Sequence, residues 1–340
     1  MQMQNFEELK SLLSEPKRIV LLPHRNPDGD AIGSTLAMRL YLSKLGHSCE
    51  VISPNDFPKF LKWMEGANDI QIAEYNPGHS RRTIEKAELI FLLDFNTTAR
   101  IDEVGEWLDR SEAYKVLIDH HQEPDQFDFM YSDVEMPATC QMVYKFIEAM
   151  GHLNLIDVSL AECIYTGILT DTGGFRYRTT SAETHRIVAN LLEKGLNLDK
   201  IYNEVYDNQS VGRLKLLGVT LDSLIALPDY RTAYMKLTRA EQADYGMQKG
   251  DTEGFVNYGL GINNNVLSVF FIEDQQHDFI KISFRSKGGF DVNQFARKHF
   301  NGGGHISAAG GRSDLGMEET IEKFVKILEG YKQELEEVEI

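Results

Sequence analysis

Between positions 24 and 171, four segments carry side chains that a hard or borderline divalent cation takes as ligands. His24, Asp28 and Asp30 stand in Leu22-Pro-His24-Arg-Asn-Pro-Asp28-Gly-Asp30, and Asp94 ends Leu92-Leu93-Asp94. His120 stands in Leu117-Ile118-Asp119-His120-His121, and Asp171 opens Asp171-Thr172-Gly173-Gly174. Neutral imidazole nitrogen and carboxylate oxygen are the donors that such ions prefer. The Pro27-Asp28-Gly29 turn tightens the chain, so two carboxylates one residue apart can face one cavity. Plainer explanations exist for each segment alone. Asp28 and Asp94 suit helix caps or turns, and Asp171 suits a loop. The adjacent imidazoles of His120 and His121 are harder to explain structurally. In extended backbone they point to opposite sides, so one can ligate while the other faces another part of a cleft.

These residues need elements to gather them. Short apolar runs alternate with amphipathic stretches over the first ~200 residues, the βαβ signature of a parallel sheet. Strands are predicted at 18–22, 49–53, 88–93 and 114–118, and helices at 31–45, 138–150 and 159–170, the last with Ser159 and Glu162 as a capping box. Three of the four candidate segments then fall at carboxyl ends of strands, where open parallel sheets bind their ligands. Residues 210–226 have helical apolar spacing and read as a connecting helix. Beyond them, strands at 232–237, 266–272 and 279–284 and helices at 239–246, 291–298 and 317–334 predict a mixed α+β second domain.

In order and context, His24-x3-Asp28-x-Asp30, Asp94, Asp119-His120-His121 and Asp171 resemble the four-motif pattern of DHH phosphoesterases. Asn301-Gly302-Gly303-Gly304-His305-Ile306-Ser307-Ala308-Ala309-Gly310 resembles the GGGH signature of the associated DHHA1 domain. The resemblance implies an α/β fold: an N-terminal parallel-sheet DHH catalytic domain over 1–209, a linker helix over 210–226 and a smaller mixed-sheet DHHA1 domain over 227–340. It implies one cation on His24, Asp28 and Asp94, and a second on Asp30, Asp94, His120 and Asp171, with Asp94 bridging. His121 would face the substrate phosphate, and Asp119 would orient the neighbouring imidazoles. The ions implied are a pair of Mn²⁺, with Mg²⁺ or Co²⁺ as substitutes; the absence of thiolate from the donor set agrees.

Charge narrows the substrate. The 35 Lys+Arg against 52 Asp+Glu give a net charge of −17, which excludes a protein built to coat long duplex DNA. The stretch from Lys281 to Arg312 departs from this. It holds Lys281, Arg285, Lys287, Arg297, Lys298 and Arg312 against the single acid Asp291. Within it, Arg285-Ser286 and the Gly302–His305 loop are the candidate phosphate contacts, since glycines let backbone N–H groups approach an anion. The resemblance then implies hydrolysis of di- to pentaribonucleotides and 3′-phosphoadenosine 5′-phosphate (pAp), with linear dinucleotides such as pApA or pGpG as a variant, by a homodimer. The alternatives are a RecJ-like single-strand exonuclease, a polyphosphatase or pyrophosphatase, and a non-enzymatic nucleotide-binding module.

Three widely spaced cysteines without a CxxC pair, a polar N-terminus and no apolar run of ~20 residues predict a cytoplasmic protein with no membrane span. His79, His152 and His185 read as surface or helix residues, and Trp63 and Trp107 as packing groups. Phe255 and Tyr258 read as core residues, with base stacking as the alternative.

Overall fold

Strand β1 (Arg18–Pro23) runs parallel to β2 (Ser48–Ser53) on one side and to β4 (Leu89–Leu93) on the other. With β3 (Gln71–Ile72), β5 (Tyr114–Asp119) and β6 (Phe129–Ser132) they form an all-parallel sheet in the order β3-β2-β1-β4-β5-β6. The strands are apolar on both faces because both faces are covered. Ile19 and Leu21 of β1, Phe91 of β4 and Ile118 of β5 join one core cluster, while Val20, Leu22, Leu92 and Leu117 join another on the opposite face. Strand order reverses between β2-β1 and β4-β5, which opens a crevice at the carboxyl ends.

The structure is a computed structural model that describes residues 5–339, and the chain divides into two compact units, Met1–Asn208 and Gln209–Ile340. In the first, the Gly29–Lys44 helix packs tightly on the Val158–Asp171 helix. Gly33 and Gly167 make the approach possible: a Cβ on Gly33 would meet the Cys163 carbonyl at 2.7 Å, and one on Gly167 would meet Cys140 Sγ at 2.1 Å. The expected capping box at Ser159 is replaced. The helix begins one residue earlier, capped by the Asp157 side chain on Leu160 N–H, and Glu162 instead pairs with Lys200.

The second unit has a mixed sheet in the order β11-β12-β10-β9-β8-β7, formed by β7 (Ile225–Leu227), β8 (Thr232–Leu237), β9 (Leu267–Glu273), β10 (Ile280–Ser286), β11 (Gly303–Gly304) and β12 (Ala308–Ser313). Only the β8–β9 pair is parallel. The expected connecting helix forms at Val211–Asp222. It buries Leu216 against Met235, Leu237, Phe255 and Phe270, so its packing belongs to this unit. Phe255 is therefore a core residue, and Tyr258 is exposed. Trp107 is buried, and Trp63 packs under Lys200. The helix expected over 317–334 ends at Leu328, and a 3₁₀ turn precedes a last helix at Lys332–Glu337.

Candidate active site

β1, β4 and β5 are neighbours, and each runs straight into a candidate segment: Pro23 into His24, Leu93 into Asp94, Asp119 into His120. Asp94 has φ 67°, a left-handed conformation that Asp and Asn tolerate better than other non-glycine residues. This turns the chain at once and keeps the carboxylate at the sheet edge, with its N–H still bonded to the Ile118 carbonyl at 3.2 Å. Asp28 caps the Gly29–Lys44 helix through Oδ1, which accepts from Asp30 N–H and Ala31 N–H, while Oδ2 lies 4.0 Å from His24 Nε2. The cap and the ligand explanations of Asp28 are therefore both met, by different oxygens.

Two groups of candidate ligands share Asp94. Its Oδ2 lies 3.5 Å from His24 Nε2, and its Oδ1 lies 3.4 Å from His120 Nε2. His120 Nε2 is also 3.4 Å from Asp171 Oδ2 and 3.9 Å from Asp30 Oδ2. His24 with Asp28 and Asp94, and Asp30 with His120 and Asp171, could each hold a metal ion. The spacings suit this: two donors each about 2.1 Å from one ion stand about 3–3.5 Å apart at tetrahedral-to-octahedral angles.

Partners around the ligands fix their orientation. His24 Nδ1 is 2.7 Å from the Arg25 carbonyl, and His120 Nδ1 is 2.9 Å from the Met136 carbonyl. A carbonyl only accepts, so each Nδ1 carries the proton and, in the neutral ring, each Nε2 presents a lone pair to the carboxylates. A lone pair facing carboxylate oxygens is repulsive unless a proton or a cation lies between them, as in ligating histidines tied down at the other ring nitrogen. Asp30 is held by a helix it does not belong to. Its two oxygens accept from Thr139 N–H at 2.6 Å and Cys140 N–H at 2.9 Å, the first donors of the Thr139–Ala149 helix, whose own N-cap residue, Ala138, supplies no side-chain acceptor. Thr139 Oγ1 donates to Asp94 Oδ1 at 2.9 Å. One helix N-terminus thus holds two of the four carboxylates, where its dipole favours negative charge.

The electrostatics show what the residues lack. Burial pushes Asp30 well above the usual carboxylate range, and the charges of Asp94 and Asp171 push the same way. Burial also opposes ionisation of Asp94, but hydrogen bonds from His120 and His24 outweigh it and hold Asp94 well below that range. For His120, burial works against the imidazolium, and contacts with Asp94 and Asp171 carry the net shift well upward. The metal-free cluster therefore relies on a proton on the His120 imidazole to balance its carboxylates. Divalent cations with oxygen and nitrogen donors fit the same positions and supply that charge directly.

His121 and Asp119 form a separate pair. His121 Nδ1 is 2.7 Å from Asp119 Oδ1, and His121 N–H donates to Oδ2. Burial pushes the Asp119 carboxyl up to about 7. Burial and the nearby Arg100 cation hold His121 well below the usual imidazole range. Two expectations change here. Asp119 orients His121 alone, since His120 is oriented by the Met136 carbonyl. The two rings do not diverge across a strand either. The strand ends at Asp119, and the rings meet edge to face with centroids 5.1 Å apart. Sequence reading did not pick out Thr139, Gly167, Arg100 or the Met136 carbonyl. A Cβ on Gly167 would also sit 2.6 Å from Asp30 Oδ1, so this glycine keeps the carboxylate in place.

In the second unit, the Gly302–His305 loop wraps the start of the Val292–Phe300 helix. Asn293 Oδ1 accepts from Gly304 N–H at 3.0 Å and from Arg297 Nε at 3.1 Å. His305 turns the chain into β12 through its N–H on the Ala308 carbonyl. The Ser286 hydroxyl, expected at a phosphate, donates to the Phe290 carbonyl at 2.6 Å in a buried position. Arg285 Nη1 donates to the adjacent Phe284 carbonyl. Both side chains are thus engaged in shaping the end of β10.

Comparison with known proteins agrees with this architecture. The family model described as "DHH family, N-terminal domain" matches residues 18–168, and that described as "DHHA1 domain" matches residues 229–334. A Thermus thermophilus protein named bifunctional oligoribonuclease and PAP phosphatase NrnA is 28% identical over 321 residues, 93% of this chain and 90% of its own. A Bacillus subtilis protein of the same name is 26% identical over 305 residues, 89% of this chain and 91% of its own. The solved structure of an exopolyphosphatase-related protein from Bacteroides fragilis is 40% identical, with a TM-score of 0.93 over 98% of each chain.

Proposed function

Because the chain belongs to the DHH family of phosphoesterases and carries a DHHA1 domain, we propose that it hydrolyses phosphoester bonds in di- to pentaribonucleotides and in pAp. The observation that carries this reading is the Asp94 carboxylate, whose two oxygens each face the Nε2 of a different, backbone-anchored histidine. His24, Asp28 and Asp94 would hold one divalent ion, and Asp30, Asp94, His120 and Asp171 the other. Mn²⁺ suits this thiolate-free donor set, with Mg²⁺ or Co²⁺ as substitutes. When bound, the ions would neutralise phosphoryl oxygens and lower the pKa of a water.

The chain's own residues handle the remaining proton. Asp119 and His121 share one across 2.7 Å. With the proton on Asp119, Nδ1 accepts, and His121 carries its own proton on Nε2 as a donor. With the proton on Nδ1, Nε2 becomes an acceptor. Passing the Nε2 proton to a leaving oxygen while Nδ1 takes one from Asp119 delivers a single proton, and the buried ring never becomes an imidazolium. The Gly302–His305 loop is the substrate-binding element of the DHHA1 domain in this reading.

Cys49, Cys140 and Cys163 are all free, which supports a reducing, cytoplasmic setting. Among the described residues, no helix is long and apolar enough to cross a membrane. A homodimer belongs to the same reading and is checked by light scattering. The decisive assay is one panel with Mn²⁺: pAp, di- to pentaribonucleotides, short and long single-stranded DNA, pyrophosphate and polyphosphate, compared by initial rate. Highest rates on pAp and the shortest ribonucleotides are expected. Faster turnover of polyphosphate or long DNA would overturn the substrate assignment.

A further inference from the structure

Asp94 leads through Phe95 and Asn96 into a 3₁₀ turn at Thr98–Ile101, and this turn is fastened on two sides. Asn96 Nδ2 donates to the Gln122 carbonyl at 2.6 Å, and the Asn96 carbonyl accepts from Asp125 N–H at 2.7 Å. Asp125 Oδ2 in turn accepts from Thr98 N–H at 3.1 Å. These bonds tie the turn to the segment that follows His120 and His121. On the other side, the Arg100 carbonyl accepts from Arg25 N–H at 2.8 Å, and Arg25 is the residue whose carbonyl orients His24. Arg100 thus belongs to a turn at the carboxyl edge of the parallel sheet, bonded to both the His24 segment and the segment after His121.

Three acids of these segments have other partners. Asp102 pairs with Arg25, which also reaches Glu74, Asp125 takes the Thr98 N–H, and Asp119 holds His121. Arg100 is half-buried, and among the described residues its guanidinium makes no hydrogen bond or ion pair. After burial, the Arg100 charge is the next influence holding His121 below the usual imidazole range, so the guanidinium stands near that ring. A cation in a partly desolvated place gives up water without return unless an anion arrives. Its planar fork suits two oxygens of a phosphate.

We propose that Arg100 binds a non-bridging oxygen of the phosphoryl group that is cleaved, beside His121, and stabilises the charge this group gathers in the transition state. This deepens the phosphoesterase reading and rests on it. Asp28, Asp30, Asp94 and Asp171, the four carboxylates of the candidate ligand groups, offset the charge of two divalent ions. The phosphoryl anion then still lacks a cation of its own, and Arg100 supplies one at the edge where the candidate ligands and His121 gather.

The test compares the unmodified full chain with Arg100→Ala and Arg100→Lys on pAp in Mn²⁺ buffer. Arg100→Ala lowers kcat/KM by about 100- to 1000-fold, the scale of a lost donor to transition-state charge, and the loss falls mainly in kcat. Lysine recovers part of it, since it keeps the charge and loses the fork. Arg100 has no side-chain partner to lose, so both variants keep the thermal midpoint and the number of Mn²⁺ ions bound, read by electron paramagnetic resonance. A loss of less than tenfold in Arg100→Ala, or one that accompanies a loss of bound Mn²⁺, overturns the proposal. If alanine unfolds the chain, Arg100→Lys decides: a tenfold or greater loss with Mn²⁺ retained upholds it, and a smaller loss overturns it. If the unmodified chain cleaves neither pAp nor short ribonucleotides, the phosphoesterase reading falls. Calorimetry with inorganic phosphate in the same buffer then decides whether Arg100 holds a phosphoryl group. A tenfold or greater loss of affinity in Arg100→Ala upholds that contact, and a smaller loss, or no binding to the unmodified chain, overturns it.

Discussion

Asp94→Asn is the sharpest perturbation of the candidate centre, because it changes charge and little else. Asparagine also tolerates the left-handed backbone at this position (φ 67°) and can still accept from Thr139 Oγ1. Alanine would add about 1–2 kcal/mol of conformational strain and blur the result. In the metal-free chain two terms oppose each other. The variant loses the partner of His24 and His120, and it relieves Asp30, which Asp94 pushes upward. The thermal midpoint without metal should therefore move by only a few degrees. In the metal-loaded chain nothing offsets the loss. Removing one partner of a buried charged set costs about 3–5 kcal/mol, or roughly 10²–10⁴ in cation affinity at ~1.4 kcal/mol per decade. Free Mn²⁺ measured by electron paramagnetic resonance during titration should show two bound ions per chain falling to one or none. Phosphate release from pAp should fall at least about 100-fold at Mn²⁺ concentrations that saturate the unmodified chain. A folded Asp94→Asn chain that still binds two ions with unchanged affinity and turns over within threefold would refute the shared-carboxylate reasoning.

Three other outcomes follow from the same geometry. Mn²⁺ at a hundred times its dissociation constant should stabilise the chain by about 2.7 kcal/mol per ion, seen as a rise in thermal midpoint that a chelator reverses. Gly167→Ala would push a methyl to 2.1 Å from Cys140 Sγ and 2.6 Å from Asp30 Oδ1; denaturant melts should show about 1–3 kcal/mol lost to overpacking, with Mn²⁺ affinity falling as well. Without metal, the Asp119 carboxyl is raised by burial from its usual value to about 7. Its protonated form is favoured in the fold, so its contribution is complete below pH ~4 and is lost as pH rises through ~7, by up to about 4 kcal/mol. Urea melts at pH 5 and pH 8 should differ more in the unmodified chain than in Asp119→Asn, and equal differences would exclude this group as the source.

The parallel sheet was legible because buried strands between two helical layers read as unbroken apolar runs, as Ile90 to Leu93 does. The candidate ligands were legible because carboxylates and imidazoles are rare immediately after such runs. What stayed hidden depends on contacts distant in sequence. β12 reads as a glycine-rich loop, and it is a strand because Gly311 lets it pass under Phe300 and Phe284, which a Cβ would approach to 2.9 Å and 3.1 Å. Ser286 stands in the stretch expected at a phosphate, and the contact its hydroxyl makes with the Phe290 carbonyl, which closes the turn after β10, has no signal in the sequence. Composition identified the basic stretch, but not which of its cations brace the unit, as Arg285, Lys287 and Arg312 do.

The arrangement around Asp30 shows how the fold keeps four carboxylates together before any ion is present. Like charges at this spacing repel, and a buried carboxylate without partners would take up a proton and lose its value as a ligand. For Asp30 the chain uses the N-terminal N–H groups of the Thr139–Ala149 helix as partners. These donors favour negative charge, and they satisfy Asp30 from one side only. The glycine contact at Gly167 brings the Val158–Asp171 helix close enough for Asp171 to reach the same imidazole as Asp94. Close helix packing and a helix end without a cap of its own are thus the two structural conditions for the site, and a substitution at either should be read first in metal affinity and only then in rate.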